Sequence, residues 1–238
     1  MKKIKGVSFF CPAYYDADNI EKVIDKAAKV LPLFCEDYEM VVINDGSPDH
    51  TGRVLDSLTA KYRKLKVIHH PRNLGYAQAL KTGFANANKF DLILFTDGDD
   101  QYDVNYFNDM IEHLNDYDAV ITYRRKNGNS FTRRLVSWTF NRILNFLYLH
   151  PYKDLSCAFR LVRKKDIEDM ELKSTSPFLP VEVILKLHKK KLRIKEIPIE
   201  TRRRAHGRST SVLPRNFSGV IKDMIKIRLF SFNAKGNR

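Results

Sequence analysis

The chain of 238 residues is long enough to bury a sizeable core, and its 43% hydrophobic content is ordinary for a globular protein. Its formal net charge is +14, and its three cysteines, which lack metal-ligand spacing, argue against a disulfide scaffold. No stretch approaches the roughly 18 apolar residues that span a bilayer. The apolar run after Lys5 is interrupted at Pro12, before it resembles a signal peptide. We therefore expect a cytoplasmic protein with reduced thiols.

Strand and helix patterns alternate along the chain to about residue 123, which predicts an α/β fold with a mostly parallel sheet and helices on both faces. The predicted strands lie near 6–12, 40–44, 65–69, 91–96 and 118–123. The predicted helices lie near 18–31, 51–63, 75–88 and 103–115.

The fourth predicted strand ends on a cluster of acids. Leu92–Phe95 is an apolar run, and Asp97, Gly98 and Asp99 follow it. The carboxyl end of such a strand is where an open α/β sheet places its ligand site, and paired carboxylates suit Mg²⁺ or Mn²⁺ bridging a diphosphate. The alternative for an isolated pair of this kind is an acidic turn or a helix cap.

Three upstream segments, in this order and spacing, add context to the acid cluster. They are the strand and loop of residues 6–16, the strand and turn of residues 40–47, and the loop and helix of residues 70–83. Together with Asp97 and Asp99 they resemble the family 2 glycosyltransferases of the GT-A fold, in the branch typified by dolichol-phosphate mannose synthase and bacterial polyprenyl-phosphate glycosyltransferases. The resemblance covers about residues 5 to 210. It implies a GT-A fold with a single Rossmann-like sheet.

The resemblance implies the residues of a donor site. Asp97 and Asp99 would hold Mg²⁺ or Mn²⁺, with Gln101 as a polar metal-site residue. Asp45 would hydrogen-bond the nucleobase, whereas Asn44 replaces an aspartate of the family motif. The remaining positions implied to bind the nucleotide sugar are Pro12, Ala13, Tyr14, Asp16, Arg72, Asn73, Gly75 and Gly98.

The second half of the chain carries acceptor motifs in the same resemblance. Asp154 opens a segment similar to an element of the polyprenyl-phosphate branch, and Glu182 matches another position. The implied acceptor phosphate site consists of Arg124, Arg202, Arg204, Arg208 and Ser209, because guanidinium groups pair bidentately with phosphate. The catalytic set is Asp97, Asp99, Arg124, Asp154, Glu182 and Arg204. We expect a GT-A domain over residues 1–211, with its donor half at about 1–123 and its acceptor half at about 124–211.

The acceptor chemistry depends on protons. A hydroxyl acceptor needs a general base, whereas a phosphate monoester with a second pKa near 6 is already largely dianionic at pH 7. We expect a metal-dependent, inverting transfer from a nucleoside-diphosphate sugar to a polyprenyl phosphate, dolichyl or undecaprenyl. One alternative is a hydroxyl acceptor with Asp154 or Glu182 as base. Another is a catalytically silent protein that binds nucleotide sugars.

The positive charge is concentrated near the C-terminus. Residues 201–238 carry ten Lys or Arg and one acid, Asp223, and residues 212–238 read as a basic amphipathic segment. The segment fits an anionic membrane interface, although a solvated surface or a helix packed on the core is also consistent with it. No nucleic-acid module is visible. We expect peripheral association with the cytoplasmic face of the membrane, no nucleic-acid partner, and leave a membrane-protein partner open.

Overall fold

The computed structural model describes residues 3–127, 131–203 and 214–232. Within these ranges the chain forms a seven-stranded sheet in the order β3-β2-β1-β4-β6-β5-β7. The strands are β1 (Ile4–Ala13), β2 (Cys35–Asn44), β3 (Leu65–His69), β4 (Leu92–Phe95), β5 (Ala119–Asn127), β6 (Arg160–Arg163) and β7 (Ile194–Thr201). The helices are α1 (Ile20–Phe34), α2 (Thr51–Lys61), α3 (Tyr76–Asn86), α4 (Phe107–Ile111), α5 (Phe131–Tyr148), α6 (Lys164–Ile167), α7 (Leu179–Lys189) and α8 (Pro214–Ile227).

The sheet is mostly parallel, as the sequence predicts. β1 pairs in parallel with β2 and β4, β2 with β3, and β5 with β7. The exception is β6, which lies antiparallel between β4 and β5. The sequence analysis predicted neither this strand nor β7, because the alternating pattern that it followed ends near residue 123.

Both faces of the sheet are covered at its centre, where β4 and the carboxyl-terminal halves of β1 and β2 are buried without interruption. Side chains alternate across a strand, so Phe9 and Leu94 pack into one cluster with α1 and Phe10 and Phe95 into the other with α3. The buried spacing of α1 is helical, with Ile20, Val23, Ile24, Ala27 and Leu31 on one face. The predicted two-sided α/β sheet is therefore confirmed.

The C-terminal helix α8 contacts the core through one face. Ile227 is fully buried, and the buried carboxylate of Asp223 accepts hydrogen bonds of 2.8 Å from the backbone N–H groups of Thr175 and Ser176. The Tyr148 hydroxyl of α5 donates to the Met224 carbonyl. This part of the predicted segment 212–238 thus packs on the sheet domain, and the division at residue 211 stays a prediction. No helix in the described ranges is both long enough and apolar enough to cross a membrane.

Candidate active site

The site lies where the strand order reverses. The chain passes from β1 outward to β2 and β3 and then returns to β4 on the other side of β1. Ligands of open α/β sheets bind in the crevice beyond the carboxyl ends of strands at such a point. The segments that follow β1, β2 and β4 meet there, and they carry Tyr14, Asp45 and Asp97.

The loops after β1 and β2 are joined by hydrogen bonds. The Asp45 N–H donates to the Ala13 carbonyl at 3.0 Å, and the Tyr15 N–H donates to the Ser47 hydroxyl at 2.8 Å. The buried Asp16 carboxylate accepts from the Tyr14 N–H at 3.0 Å, which closes the first loop. These contacts bring the residues that were predicted to surround the nucleoside into one wall.

Asp45, which follows β2, holds a third loop, the one that leads from β3 into α3. Its carboxylate is 4% exposed and accepts from the backbone N–H groups of Leu74 and Gly75, both at 2.9 Å. The Asn73 amide donates to Oδ2 at 3.1 Å, and His70 Nδ1 lies 2.8 Å from Oδ1. Four donors therefore share the two oxygens. A nucleobase bond to Asp45 stays a prediction and would require one of these donors to be exchanged.

A glycine permits this loop to approach. Gly46 has φ +60°, and a Cβ on it would lie 2.2 Å from the Arg72 backbone carbon. The Arg72 backbone therefore passes directly over Gly46, and the Arg72 side chain is exposed.

The carboxylates after β4 are held from two sides. The Tyr76 hydroxyl donates to Asp97 Oδ1 at 2.7 Å, and the Gln101 N–H donates to Asp99 Oδ1 at 3.2 Å. A Cβ on Gly98 would lie 2.5 Å from the Pro12 carbonyl oxygen, so only glycine lets this turn approach β1.

The same acids surround a buried thiol. Burial raises the pKa of Cys11, and the neighbouring charges of Asp16, Asp97 and Asp99 raise it further. The charges of the three carboxylates therefore act on the same buried group in β1.

Arg124 and Asp154, on the acceptor side, form a bidentate pair. Arg124 Nε lies 2.7 Å from Asp154 Oδ2 and its Nη2 lies 3.0 Å from Oδ1, and Ser156 and Asn141 also donate to this carboxylate. Burial alone would raise the pKa of Asp154, but Arg124 holds it below its ordinary value. Burial alone would likewise lower the pKa of Arg124, and Asp154 raises it. Asp154 is therefore an ionised partner of a cation.

Glu182 occupies a different place, on α7. It is fully buried and accepts from the backbone N–H groups of Lys173 and Ser174 at 2.9 and 2.7 Å, and Lys186 lies 2.6 Å from Oε1. Burial alone would raise the pKa of Glu182, but these donors lower it. Its contacts are those of a residue that anchors the loop before α7.

The predicted phosphate-binding arginines are only partly described. Arg202 pairs with Asp103 at 2.6 Å, and its N–H donates to the Gln101 carbonyl at 2.9 Å. The Gln101 side chain returns a bond to the Arg202 carbonyl at 3.1 Å, so the predicted metal-site and acceptor segments meet. Arg204, Arg208 and Ser209 lie outside the described residues.

Comparison with known proteins now places the chain. The family model described as glycosyl transferase family 2 matches residues 8–170. The chain belongs to this family. The predicted family resemblance is thereby confirmed.

Three curated proteins are similar to this family 2 member over aligned regions of different length. Protein CsbB of Bacillus subtilis is 28% identical over 162 residues, which are 68% of this chain and 49% of CsbB. The undecaprenyl-phosphate 4-deoxy-4-formamido-L-arabinose transferase of Edwardsiella ictaluri is 26% identical over 211 residues, 87% of this chain and 63% of the relative. The dolichyl-phosphate beta-glucosyltransferase ALG5C of Trichomonas vaginalis is 22% identical over 175 residues, 66% and 52% of the two chains. The chain thus spans about half to two thirds of the length of these relatives.

Solved structures share the fold. The crystal structure of glucosyl-3-phosphoglycerate synthase from Mycobacterium tuberculosis with Mn²⁺, UDP and glucosyl-3-phosphoglycerate has a TM-score of 0.73 at 16% identity, covering 94% of this chain and 80% of that chain. Its complex with Mg²⁺ and UDP has a TM-score of 0.71 at 16% identity, with coverages of 94% and 79%. At this identity the likeness shows the GT-A fold.

The donor set of this family 2 member fits a hard divalent cation. Asp97 and Asp99 offer carboxylate oxygens two residues apart, beside the crevice. Within the described ranges no group of three or more His, Cys, Asp or Glu residues forms a complete metal cage. Mg²⁺ typically binds one or two carboxylates and takes its other ligands from water and substrate phosphates. The site therefore suits a cation shared with a bound diphosphate.

The sequence analysis missed three residues that order this site, namely His70, Tyr76 and Thr82. Tyr76 reads as the start of a helix, and its partner Asp97 is 21 residues away. The one available signal concerns His70. Asn44 pairs with His69 across the parallel strands, so Asp45 and His70 occupy the next matching positions at the ends of β2 and β3.

Proposed function

We propose that this protein transfers a sugar from a nucleoside-diphosphate sugar to a polyprenyl phosphate, of the dolichyl or undecaprenyl type, with inversion at the anomeric carbon. Two relatives named above are a dolichyl-phosphate and an undecaprenyl-phosphate transferase, which supports this acceptor class. One observation favours a phosphate acceptor over a hydroxyl acceptor. Both candidate bases, Asp154 and Glu182, are already engaged in ion pairs and hydrogen bonds.

The donor side of the proposal uses the crevice beyond β1, β2 and β4. The loop held by Asp45 would close beside the ribose and diphosphate, and the wall formed by Tyr14, Asp16 and Ser47 would face the nucleoside. Asp97 and Asp99, with Gln101 nearby, would hold Mg²⁺ or Mn²⁺. When bound, such a cation neutralises the charge that develops on the leaving diphosphate.

The acceptor side of the proposal depends on whether the acceptor must lose a proton before it can attack. A base must take a proton from a hydroxyl, yet Asp154 is paired bidentately with Arg124 and Glu182 is paired with Lys186. Their pKa values are lowered, which makes both carboxylates weaker bases. An acceptor that is already anionic avoids this requirement.

With a phosphate acceptor, the transfer needs no group that removes a proton. A nonbonding electron pair on the acceptor phosphate oxygen forms the new bond to the anomeric carbon, while the bond from that carbon to the diphosphate oxygen breaks. The nucleoside diphosphate leaves with the electron pair, and attack from the opposite face inverts the centre. Arg124, Arg202, Arg204, Arg208 and Ser209 are the proposed acceptor group, since guanidinium forks match phosphate oxygens.

A product assay tests this proposal. The protein is incubated with Mn²⁺, a panel of nucleoside-diphosphate sugars and a short polyprenyl phosphate, with the matching polyprenol in a parallel sample. A glycosyl phosphate product identified by mass supports the proposal. Glycosylation of the polyprenol alone supports a hydroxyl acceptor. Binding of the donor with neither a transfer product nor hydrolysis of the donor supports a silent protein.

The proposal includes a peripheral position at an anionic membrane. On α8 and the π-helical segment Arg228–Phe232 that continues it, Phe217, Ile221, Ile225 and Leu229 recur every four residues and are 60%, 38%, 51% and 52% exposed. Lys222 is also exposed on this helix. An apolar ridge flanked by cations is the pattern of an interfacial helix. On α5 the exposed apolar side chains are Leu135, Val136, Trp138, Ile143 and Phe146.

Vesicle sedimentation tests the membrane position. The double variant Ile225→Ser with Leu229→Ser should lose binding to vesicles of anionic phospholipid while keeping its melting temperature, because both side chains point away from the core. Leu33→Ser is the matched control, since Leu33 is an exposed leucine of α1 at 63% exposure. Equal vesicle binding by the double variant, the control and the unmodified protein would contradict this part of the proposal.

A further inference from the structure

His70 connects the donor loop to helix α3. Its side chain is 7% exposed and lies between two partners. Nδ1 is 2.8 Å from Asp45 Oδ1, and Nε2 is 3.0 Å from the Thr82 hydroxyl oxygen. Thr82 is in the middle of α3, whereas Asp45 follows β2. The imidazole therefore bridges the end of β2 and helix α3, which the chain itself connects through α2 and β3.

The hydrogen bonds assign the protons of this bridge. An ionised carboxylate can only accept, so His70 Nδ1–H donates to Asp45. In the neutral ring Nε2 is then an acceptor, and it accepts a hydrogen bond from the Thr82 hydroxyl. Thr82 thus fixes the ring orientation that directs the Nδ1 proton at Asp45.

Asp45 in turn holds the loop. The backbone N–H groups of Leu74 and Gly75 both end on its carboxylate, as does the Asn73 amide. Gly75 precedes α3 with φ +93°, a conformation that this residue adopts where the chain turns into the helix. The geometry of residues 72–75 therefore depends on where the Asp45 carboxylate points.

We propose that His70 and Thr82 are positioning residues for donor binding. They fix the orientation of the Asp45 carboxylate. Through it they hold residues 72–75 in the hydrogen-bonded conformation described above, which would receive the nucleoside diphosphate. This inference rests on the proposed donor site, but its first test needs no ligand.

Amide exchange in the ligand-free protein is that first test. His70→Phe removes both ring contacts, and His70→Asn keeps an N–H donor close to the position of Nδ1. His70→Phe should accelerate exchange of the Leu74 and Gly75 amides by about tenfold or more, because a hydrogen bond to a charged group is lost. Thr82→Val should accelerate it less, and His70→Asn should restore protection. Unchanged protection of both amides in His70→Phe would overturn the proposal.

Nucleotide binding is the second test, measured by calorimetry with UDP, GDP and Mn²⁺. His70→Phe should weaken binding about tenfold and His70→Asn should recover most of the affinity. His113→Asn is the matched control, since His113 follows α4 and contacts Tyr117 edge-on. Weakened binding that His70→Asn fails to recover would point to general loss of packing and would contradict the inference. If the unmodified protein binds no nucleotide, the proposed function fails, whereas amide exchange still decides the role of His70.

Discussion

The Tyr76 hydroxyl donates a 2.7 Å hydrogen bond to Oδ1 of Asp97, so the first residue of α3 orients the first carboxylate after β4. Burial of the phenol, and then the Asp97 charge, raise the pKa of Tyr76 well above its ordinary value. The phenol therefore stays protonated and remains a donor. Helix α3 thus contacts the site twice, through Tyr76 at its start and through Thr82 further along.

Tyr76→Phe should weaken Mn²⁺ binding in the presence of a nucleoside diphosphate. The ring keeps its volume, while Asp97 loses a donor whose bond to a charged group is worth about 1.5 to 3 kcal/mol. We expect about a tenfold or larger loss of affinity, measured by calorimetry, with a nearly unchanged melting temperature.

Tyr62→Phe is the control for this prediction. Tyr62 also donates its hydroxyl to an aspartate, Asp25 of α1. If both variants leave Mn²⁺ affinity unchanged, Tyr76 does not orient a metal ligand. If both lower it equally, the effect is one of general stability.

The sequence predicted the parts of the fold that follow from local periodicity. β3 begins and ends at the predicted residues, and β2 ends at Asn44 as predicted. The antiparallel strand β6 was missed, because its place between β4 and β5 depends on pairings with Leu92–Phe95 and Val120 that no local pattern encodes.

The same limit applies to the site. The family resemblance implied that Asp45 and Asp97 belong to one donor site, and the strand order brings their loops to one edge of the sheet. The four donors on Asp45 come from a loop about 25 to 30 residues later. The pairing of Asp154 with Arg124 spans 30 residues. Such contacts arise from tertiary packing, which the sequence pattern does not reveal.

Asp99→Asn should nearly abolish transfer while preserving the fold. The asparagine oxygen can still accept from the Gln101 N–H, but the variant loses a charged ligand for the cation. Because stabilisation of the leaving group is worth several kcal/mol, we expect turnover to fall more than about 100-fold. The measurement is the initial rate with saturating donor and Mn²⁺.

Asp100→Asn is the neighbouring control. Asp100 pairs with Lys26 of α1 and has no predicted role in the metal site. A similar fall in both variants, or near-normal turnover in Asp99→Asn, would contradict the metal assignment.

Because of His150, we expect the free energy of unfolding to decrease in mild acid. Its ring is buried, Nδ1 accepts from the Tyr152 N–H at 3.2 Å, and Nε2 has no partner among the described residues. Burial, and then His188, lower the pKa of His150 from 6.5 to about 4. The folded protein therefore binds this proton more weakly than the unfolded chain, so stability is lost as the pH falls from 6.5 toward 4.

His150→Asn should remove this pH dependence. Its amide oxygen can replace Nδ1 as an acceptor, and the titrating group disappears. The shift is worth up to about 3 kcal/mol in the free energy of unfolding. Denaturant unfolding between pH 4 and 7 measures the difference, with His50→Asn, an exposed histidine before α2, as control. Equal slopes for His150→Asn and the unmodified protein would show that other groups carry the acid sensitivity.

Glu182→Gln separates the two acceptor chemistries. Loss of a general base slows transfer by about 100-fold to 10,000-fold. If Glu182 instead anchors the loop before α7, the variant should lose stability, because Lys186 loses its partner, while the rate per folded molecule falls less than about tenfold. Asp154→Asn should behave similarly and be more destabilising, since it leaves the partly buried Arg124 without its carboxylate partner, a change that costs up to about 3 to 5 kcal/mol.

The measurement is transfer to a short polyprenyl phosphate and to the matching polyprenol, normalised to the folded fraction at each temperature. Glu168→Gln is the control, because Glu168 is an exposed acid after α6. With a phosphate acceptor, Arg208→Ala should weaken use of the lipid phosphate more than Glu182→Gln does, since a cation that binds phosphate matters where a base does not. Transfer to polyprenol that collapses in Glu182→Gln or Asp154→Asn, at an unchanged folded fraction, would reverse this ranking. A hydroxyl acceptor would then be the substrate, with the donor site unaffected.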